Sequence, residues 1–345
     1  MPRATIAEGY DISRVIKGGW HLAGGHGEVD PAAAVADMAA FVAAGITTFD
    51  CADIYTGVEE LIGRFRAAEP QLAQNLQVHT KFVPDLSELA TLAPAAIDAR
   101  IDRSCARLGV ERLDLVQFHW WDYETPGYVE AALQLTRLRE AGKIRHIGLT
   151  NFDTPHLAEL VAAGVPVKTI QVQYSLLDAR PETAMVAFCQ EHGISLLCYG
   201  TVAGGFLSER WLGREAPALE TLTNRSLTKY RLIIDEFGGW ELFQTLLETL
   251  ARVAARRGTD IATIASAAML GRTAVAAVIV GATNRAHLPA NQRIAELQLS
   301  REDMAEIDAV LAQRQGPPGE VYALERDRTG PHGRIMKYEL GKPAA

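Results

Sequence analysis

A carboxylate, a phenol, an ammonium and an imidazole stand at the ends of short apolar runs in the first third of the chain. Asp50 closes Thr47-Thr48-Phe49-Asp50 with Tyr55 five residues on, Lys81 closes His79-Thr80-Lys81, and His119 closes Gln117-Phe118-His119. Each has an ordinary structural role as well. An Asp after a strand caps the next helix, a Tyr packs half-buried, a Lys at a strand end is a solvated rim charge, and a lone His is a satisfied core residue. Brought to one mouth, the set acquires chemistry. A phenol with an ordinary pKa of about 10 is a poor acid at neutral pH, but a neighbouring ammonium favours its phenolate and lowers that value. Asp50 would hold Lys81 charged and in place, and the assembly would deliver a proton to a developing alkoxide. A neutral His119 would donate a second hydrogen bond to the same oxygen, orienting a carbonyl and stabilising its growing charge.

These ends converge only if the strands carrying them are parallel neighbours. Strand-like runs fall at Val15–Gly18, Thr47–Asp50, Leu76–Lys81, Leu113–His119, Ile144–Leu149, Thr169–Gln173, Ile194–Tyr199 and Ala276–Val280. Amphipathic stretches alternate with them at Pro31–Ala44, Ala95–Leu108, Tyr128–Ala141, Thr154–Ala163, Pro181–His192 and Gly239–Arg257, and a glycine closes most of these. Continuous apolar strands alternating with helices predict an α/β fold, a single (β/α)8 barrel over residues 1–345 with functional residues at the C-terminal strand ends. A doubly wound sheet would need a G-x-G-x-x-G turn after its first strand, and Gly24-Gly25-His26-Gly27 does not supply one. Two segments exceed ordinary loop length: 201–238, and a C-terminal tail over 316–345. The first reads as a mobile flap from Gly204 to Gly238 carrying the cations Arg210, Arg214, Arg225, Lys229 and Arg231, or as a packed loop with an extra helix near Leu227–Phe237.

Composition excludes several classes. With 34 Lys+Arg against 42 Asp+Glu the formal charge is 34 − 42 = −8, the wrong sign for nucleic-acid binding. No apolar run is long enough to span a membrane, and the N-terminus opens no export segment, so a cytoplasmic protein is expected. Cys51, Cys105, Cys189 and Cys198 are too scattered for a zinc knuckle or a disulfide framework.

The segment Gly45-Ile46-Thr47-Thr48-Phe49-Asp50-Cys51-Ala52-Asp53-Ile54-Tyr55, then Thr80-Lys81, then Leu113 to His119, then Gly142 to Phe152 with Thr150 where Ser is commoner, resembles the aldo-keto reductase family over roughly residues 10–312. The resemblance implies an NAD(P)H-dependent carbonyl reductase with no metal, acting on a small-molecule aldehyde, ketone or sugar-type carbonyl. Tyr55 would be the general acid, tuned by Lys81 and Asp50, with His119 positioning the carbonyl. Thr150, Asn151 and Gln173 match the residues that hold the nicotinamide carboxamide, and Tyr199 the aromatic on which the ring stacks. Gly200 and Thr201 begin a glycine-containing stretch suited to a pyrophosphate, and Gly281, Thr283, Arg285 and Asn291 fall in a stretch resembling the adenosine site. Many members have a basic residue near Thr283 or His287 and an acidic one at Ala290, so Arg285 is the substitute for gripping a 2′-phosphate. The implied cofactor is NADP, with NAD as the alternative. Trp20, His21, Trp120 and Trp121 are substrate-pocket candidates. Two rival readings share the site: the same chemistry run as alcohol oxidation, and a nucleotide-binding redox sensor with slow turnover.

Overall fold

The computed structural model describes residues 1–23, 29–281 and 284–340. A two-stranded antiparallel hairpin comes first, β1 (Arg3–Ala7) and β2 (Tyr10–Ser13), followed by eight parallel strands closed into a barrel. These are β3 (Val15–Gly18), β4 (Thr48–Asp50), β5 (Gln77–Phe82), β6 (Leu113–Phe118), β7 (Ile144–Thr150), β8 (Val167–Gln173), β9 (Ser195–Tyr199) and β10 (Val275–Gly281), with β10 pairing back onto β3. All eight expected barrel strands are present, each within two residues of its predicted ends. The hairpin was not expected. Its side chains alternate in burial, and Ile6, Tyr10 and Ile12 pack against Ile16, Leu115, Leu197 and Ala277 to form a floor under the barrel.

The longer helices, all but the seventh of them outside the mouth, cover the barrel. They are α1 (Pro31–Ala43), α2 (Val58–Ala68), α3 (Pro94–Leu108), α4 (Tyr128–Glu140), α5 (Thr154–Ala162), α6 (Met185–His192), α7 (Arg225–Phe237), α8 (Gly239–Arg257), α9 (Ile261–Leu270), α10 (Leu288–Glu296) and α11 (Arg301–Leu311). Local sequence sets their limits. Asp30 caps α1 by accepting from the Ala32 amide, Pro31 occupies its first turn, and Gly109 and Gly258 end α3 and α8 at φ 67° and 62°. Between sheet and helices lies the main core, including Phe41, Phe49, Phe65, Phe118, Phe152 and Phe243, all buried. Among the described residues, no helix is long and apolar enough to cross a membrane.

Both long segments are ordered against the barrel mouth. Residues 201–238 end in α7, whose Tyr230, Ile233, Ile234 and Phe237 are buried, so the packed helix, not an open loop, is what the structure holds. Arg210 lies over the Trp211 ring and Arg231 pairs with Asp235, while Arg225 and Lys229 face the mouth. The tail folds back across the mouth, from α7 to the segment after β5. Glu325 pairs with buried Arg180, Arg326 donates to the carbonyls of Asn151 and Trp120, and the Leu340 amide donates to Asp85.

Candidate active site

A cavity of about 570 Å³ opens at the C-terminal ends of the strands, and Asp50, Tyr55, Lys81 and His119 all line it. Asp50 and Lys81 end adjacent strands, β4 and β5, so the ammonium reaches both carboxylate oxygens at 2.7 Å and the Cys51 carbonyl at 2.9 Å. Asp50 Oδ1 also accepts from Gln117 (3.1 Å) and Gln171 (2.6 Å). Burial presses Lys81 toward neutrality, but the Asp50 carboxylate prevails and holds its pKa above the ordinary lysine value. A turn after β4, closed by the Tyr55 amide on the Ala52 carbonyl, brings the phenol over this pair, with Lys81 Nζ 5.0 Å from the ring centroid and Trp20 edge-on to it at 5.1 Å. The phenol differs from expectation. Burial raises the Tyr55 pKa and outweighs the lowering by Lys81, so the group is a well-protonated donor, not a partial phenolate.

His119 requires a correction too. Its Nδ1 lies 3.0 Å from the Thr150 carbonyl oxygen, which can only accept, so Nδ1 carries the ring proton. Burial and then Arg326 lower its pKa to about 3, against the opposing pull of Thr150, and the ring is neutral. Its Nε2, which has no hydrogen-bond partner, is therefore a lone pair and not the donor anticipated for a carbonyl. The ring is clamped edge-on by Trp121 at 4.3 Å and by Tyr322 of the tail at 5.6 Å.

Of the expected nucleotide residues, Thr150, Asn151, Tyr199, Gly200, Thr201 and Gly281 line the cavity. Tyr199 donates from its hydroxyl to Asn151 Oδ1 at 2.8 Å, which fixes the ring as a wall. The Thr201 hydroxyl is engaged with Ser266 at 3.0 Å. Gln173 is not at the cavity: its amide donates to Asp178 at 2.6 Å, and the β8 amide that lines the wall is Gln171, two residues earlier on the same strand face. Arg285 is mostly solvent-exposed with Nε 3.3 Å from Asp37, and His287, not Arg285, is among the lining residues. Asn291 is buried in α10 away from the cavity wall. Thr283 and Gly24 to Gly27 lie outside the described residues.

Trp20, His21 and Trp121 line the cavity, and Trp120 does not. Trp120 is fully buried, donates from Nε1 to the Asp122 and Thr125 carbonyls at 3.0 Å each, and packs on Phe118, so its role is in the core. Several wall residues went unread in the sequence. Gln171 comes from β8, and Tyr322, Ile335, Met336, Lys337 and Leu340 come from the tail; Arg225 and Lys229, expected on the long segment, line the wall as well, with Tyr230 beside them.

The cavity fits a nicotinamide nucleotide. Tyr199 offers an aromatic face, Gly204 and Gly205 edge the rim at positive φ so that backbone can approach a phosphate closely, and Arg225 lines the same cavity with no ion pair to an acidic residue among the described residues.

Just below the mouth, burial raises Asp53 to about pKa 7, with Arg100 opposing the rise and Glu59 adding to it. A folded-state pKa above the ordinary value of 3.8 means this residue's contribution to stability is complete below about pH 4 and is lost as pH rises through 7. Asp53→Asn cannot ionise. Its Tm should therefore fall less than the wild type's between pH 5 and pH 8, by about 2–4 °C or more. Parallel thermal melts at the two pH values would overturn this if the two proteins moved together.

A closed parallel barrel with Asp50, Tyr55, Lys81 and His119 around a cavity at the C-terminal strand ends is the architecture of a (β/α)8-barrel enzyme. Residues 14–312 match the model of the aldo/keto reductase family, and the chain belongs to that family of NAD(P)-dependent oxidoreductases. Among curated proteins it is 27% identical over 325 residues to aldo-keto reductase YhdN of Bacillus subtilis, covering 92% of this chain and 96% of that one. It is 33% identical over 204 residues to aldo-keto reductase yakc [NADP(+)] of Schizosaccharomyces pombe, 55% of this chain and 59% of the relative. It is 28% identical over 251 residues to flagellar radial spoke protein 5 of Chlamydomonas reinhardtii, 62% of this chain and 47% of the relative. The chain thus spans between about half and three-fifths of the length of the latter two. Among solved structures, glycerol dehydrogenase AKR11B4 from Gluconobacter oxydans superposes with a TM-score of 0.77 at 25% identity, covering 92% of this chain and 97% of that one. Both the floor hairpin and the tail lie outside the matched residues.

Proposed function

We propose that this protein reduces an aldehyde, ketone or sugar-type carbonyl, and oxidises the corresponding alcohol, with Tyr55 as the proton donor and acceptor. The observation that carries the reading is Lys81, bidentate on Asp50 and seated beneath the Tyr55 ring at the base of the cavity. A bound nicotinamide nucleotide supplies or receives the hydride. Tyr55 donates its hydroxyl hydrogen bond to the carbonyl oxygen and passes the proton as the alkoxide develops, and the Lys81 charge stabilises the phenolate left behind. His119 Nε2, an acceptor, receives a hydrogen bond from the alcohol hydroxyl and so holds the alcohol state in place. Trp20 and Trp121 wall off water on the substrate side.

The nucleotide would run from Tyr199, through Thr150, Asn151 and Gln171 at its carboxamide end, past the glycines and Arg225, to the region of Arg285. NADP is the favoured form, as the name of the Schizosaccharomyces relative has it for that protein. Arg285 must give up Asp37 to engage a 2′-phosphate, which limits the preference. Initial rates with NADPH and NADH over a panel of aldehydes, ketones and keto-sugars test the reading, with turnover expected for at least one class. Arg285→Ala should raise the NADPH KM about tenfold and leave that of NADH unchanged, because hydrogen bonds to charged groups contribute roughly 1.5–3 kcal/mol. Tight nucleotide binding with no turnover on any carbonyl would replace this reading with that of a sensor.

A further inference from the structure

Lys229 projects from α7 into a cage of three tyrosines. Its Nζ lies 5.0 Å from the Tyr199 ring centroid, 5.7 Å from Tyr230 and 6.0 Å from Tyr322, with Glu325 Oε1 at 3.8 Å. Its side chain is 16% exposed and lines the cavity. The neighbouring charges are engaged with one another: Arg180 donates to both Glu325 oxygens at 3.0 and 3.2 Å and pairs with Asp178 at 2.7 Å. Of these four groups, Lys229 is the one that faces the cavity.

An oxidised nicotinamide ring carries a positive charge and a reduced one does not. The face of a tyrosine attracts a cation through its π-electrons, and a cation already held there both occupies that attraction and repels a second. We propose that Lys229 sets the balance between the two redox states of the bound nucleotide, its ammonium, paired with Glu325, lying against the Tyr199 ring so that the neutral, reduced form is held in preference to the oxidised form. This rests on the reading of Tyr199 as the nicotinamide platform. The sign of the effect is the same whichever face of Tyr199 the ring takes, since the ammonium repels the cationic ring across the tyrosine as well as beside it. The consequence is a site loaded for reduction. Tyr322 and Glu325, which complete the cage, lie beyond residue 312 and outside the family match, so the device belongs to this chain's tail.

Dissociation constants of Lys229→Gln and Lys229→Arg for NADP⁺ and NADPH, and for NAD⁺ and NADH, measured by calorimetry without any carbonyl present, test the proposal. In Lys229→Gln the affinity for the oxidised form should rise relative to the reduced form by about tenfold. Lys229→Arg should keep the wild-type ratio. Lys229→Met serves in place of the glutamine variant if that one does not fold. Loss of affinity for both redox states by the same factor would mean that the ammonium serves the phosphates, and an unchanged ratio would mean that it serves neither; each overturns the proposal while leaving the proposed activity standing. Failure of the wild-type protein to bind any of the four nucleotides would overturn both.

Discussion

Tyr55→Phe should lower turnover by about 10²–10⁴-fold while nucleotide affinity stays near the wild-type value. The substitution removes one oxygen. The ring keeps its contact with Trp20 and its place over Lys81, and the Lys81–Asp50 pair has its own full set of partners, so the cavity should not collapse. Because burial raises the phenol pKa, the donor stays protonated throughout neutral and mildly alkaline pH, and the reductive rate should not fall on that account until above the ordinary tyrosine range. Turnover and calorimetric nucleotide binding on the same preparation decide the matter. An undiminished kcat would remove Tyr55 from the chemistry.

Arg180→Met should be the most destabilising single change away from the reacting groups, costing about 3–5 kcal/mol. Arg180, Asp178 and Glu325 are each about 1% exposed or less, and removing the guanidinium strands two carboxylates in the interior. Burial would raise the Glu325 pKa, but Arg180 and then Lys229 hold it at about 2, which measures how strongly the carboxylate depends on its cations. The same change unpins the tail. Urea denaturation followed by circular dichroism should show the loss, and adding Glu325→Gln should recover part of it by removing one stranded charge. A single variant within about 1 kcal/mol of wild type would show that the tail is not held this way.

The barrel was readable because its strands are apolar runs alternating with amphipathic helices that glycines close, a local pattern. That Asp50, Tyr55, Lys81 and His119 share one cavity was readable because a barrel gathers its strand ends at one mouth. What escaped depends on distance or on height. Gln171 and Gln173 share one face of β8, and which of them reaches the cavity is set by the stagger of the whole barrel, which no local spacing reports. The tail is ordered by Arg180 and Glu325, separated by 145 residues, and its mixed charge showed nothing of that contact. His119 lines the cavity, but the donor role expected of it toward a carbonyl depends on a tautomer set by the Thr150 carbonyl one strand away, which the sequence does not report. Trp120 and Trp121 were indistinguishable as neighbours in sequence, yet one is core and the other faces the cavity. The hairpin floor alternates in burial where continuous apolar runs were the pattern sought.

Asp50 Oδ1 gathers donors from three other strands, Lys81 on β5, Gln117 on β6 and Gln171 on β8. Reacting groups are commonly carried at some expense to their fold, but here the carboxylate that steadies the lysine also braces half the barrel's circumference. An evolving lineage that abandoned the reaction could not simply let Asp50 drift to an apolar residue. That step would leave an ammonium and two amides unsatisfied in the interior, and the repair needs coordinated replacement at three further positions. Descendants that outlive the activity should therefore be expected to keep this constellation long after the tyrosine above it has gone, so a retained Asp50–Lys81 pair is, by itself, a poor witness that a relative still turns over substrate.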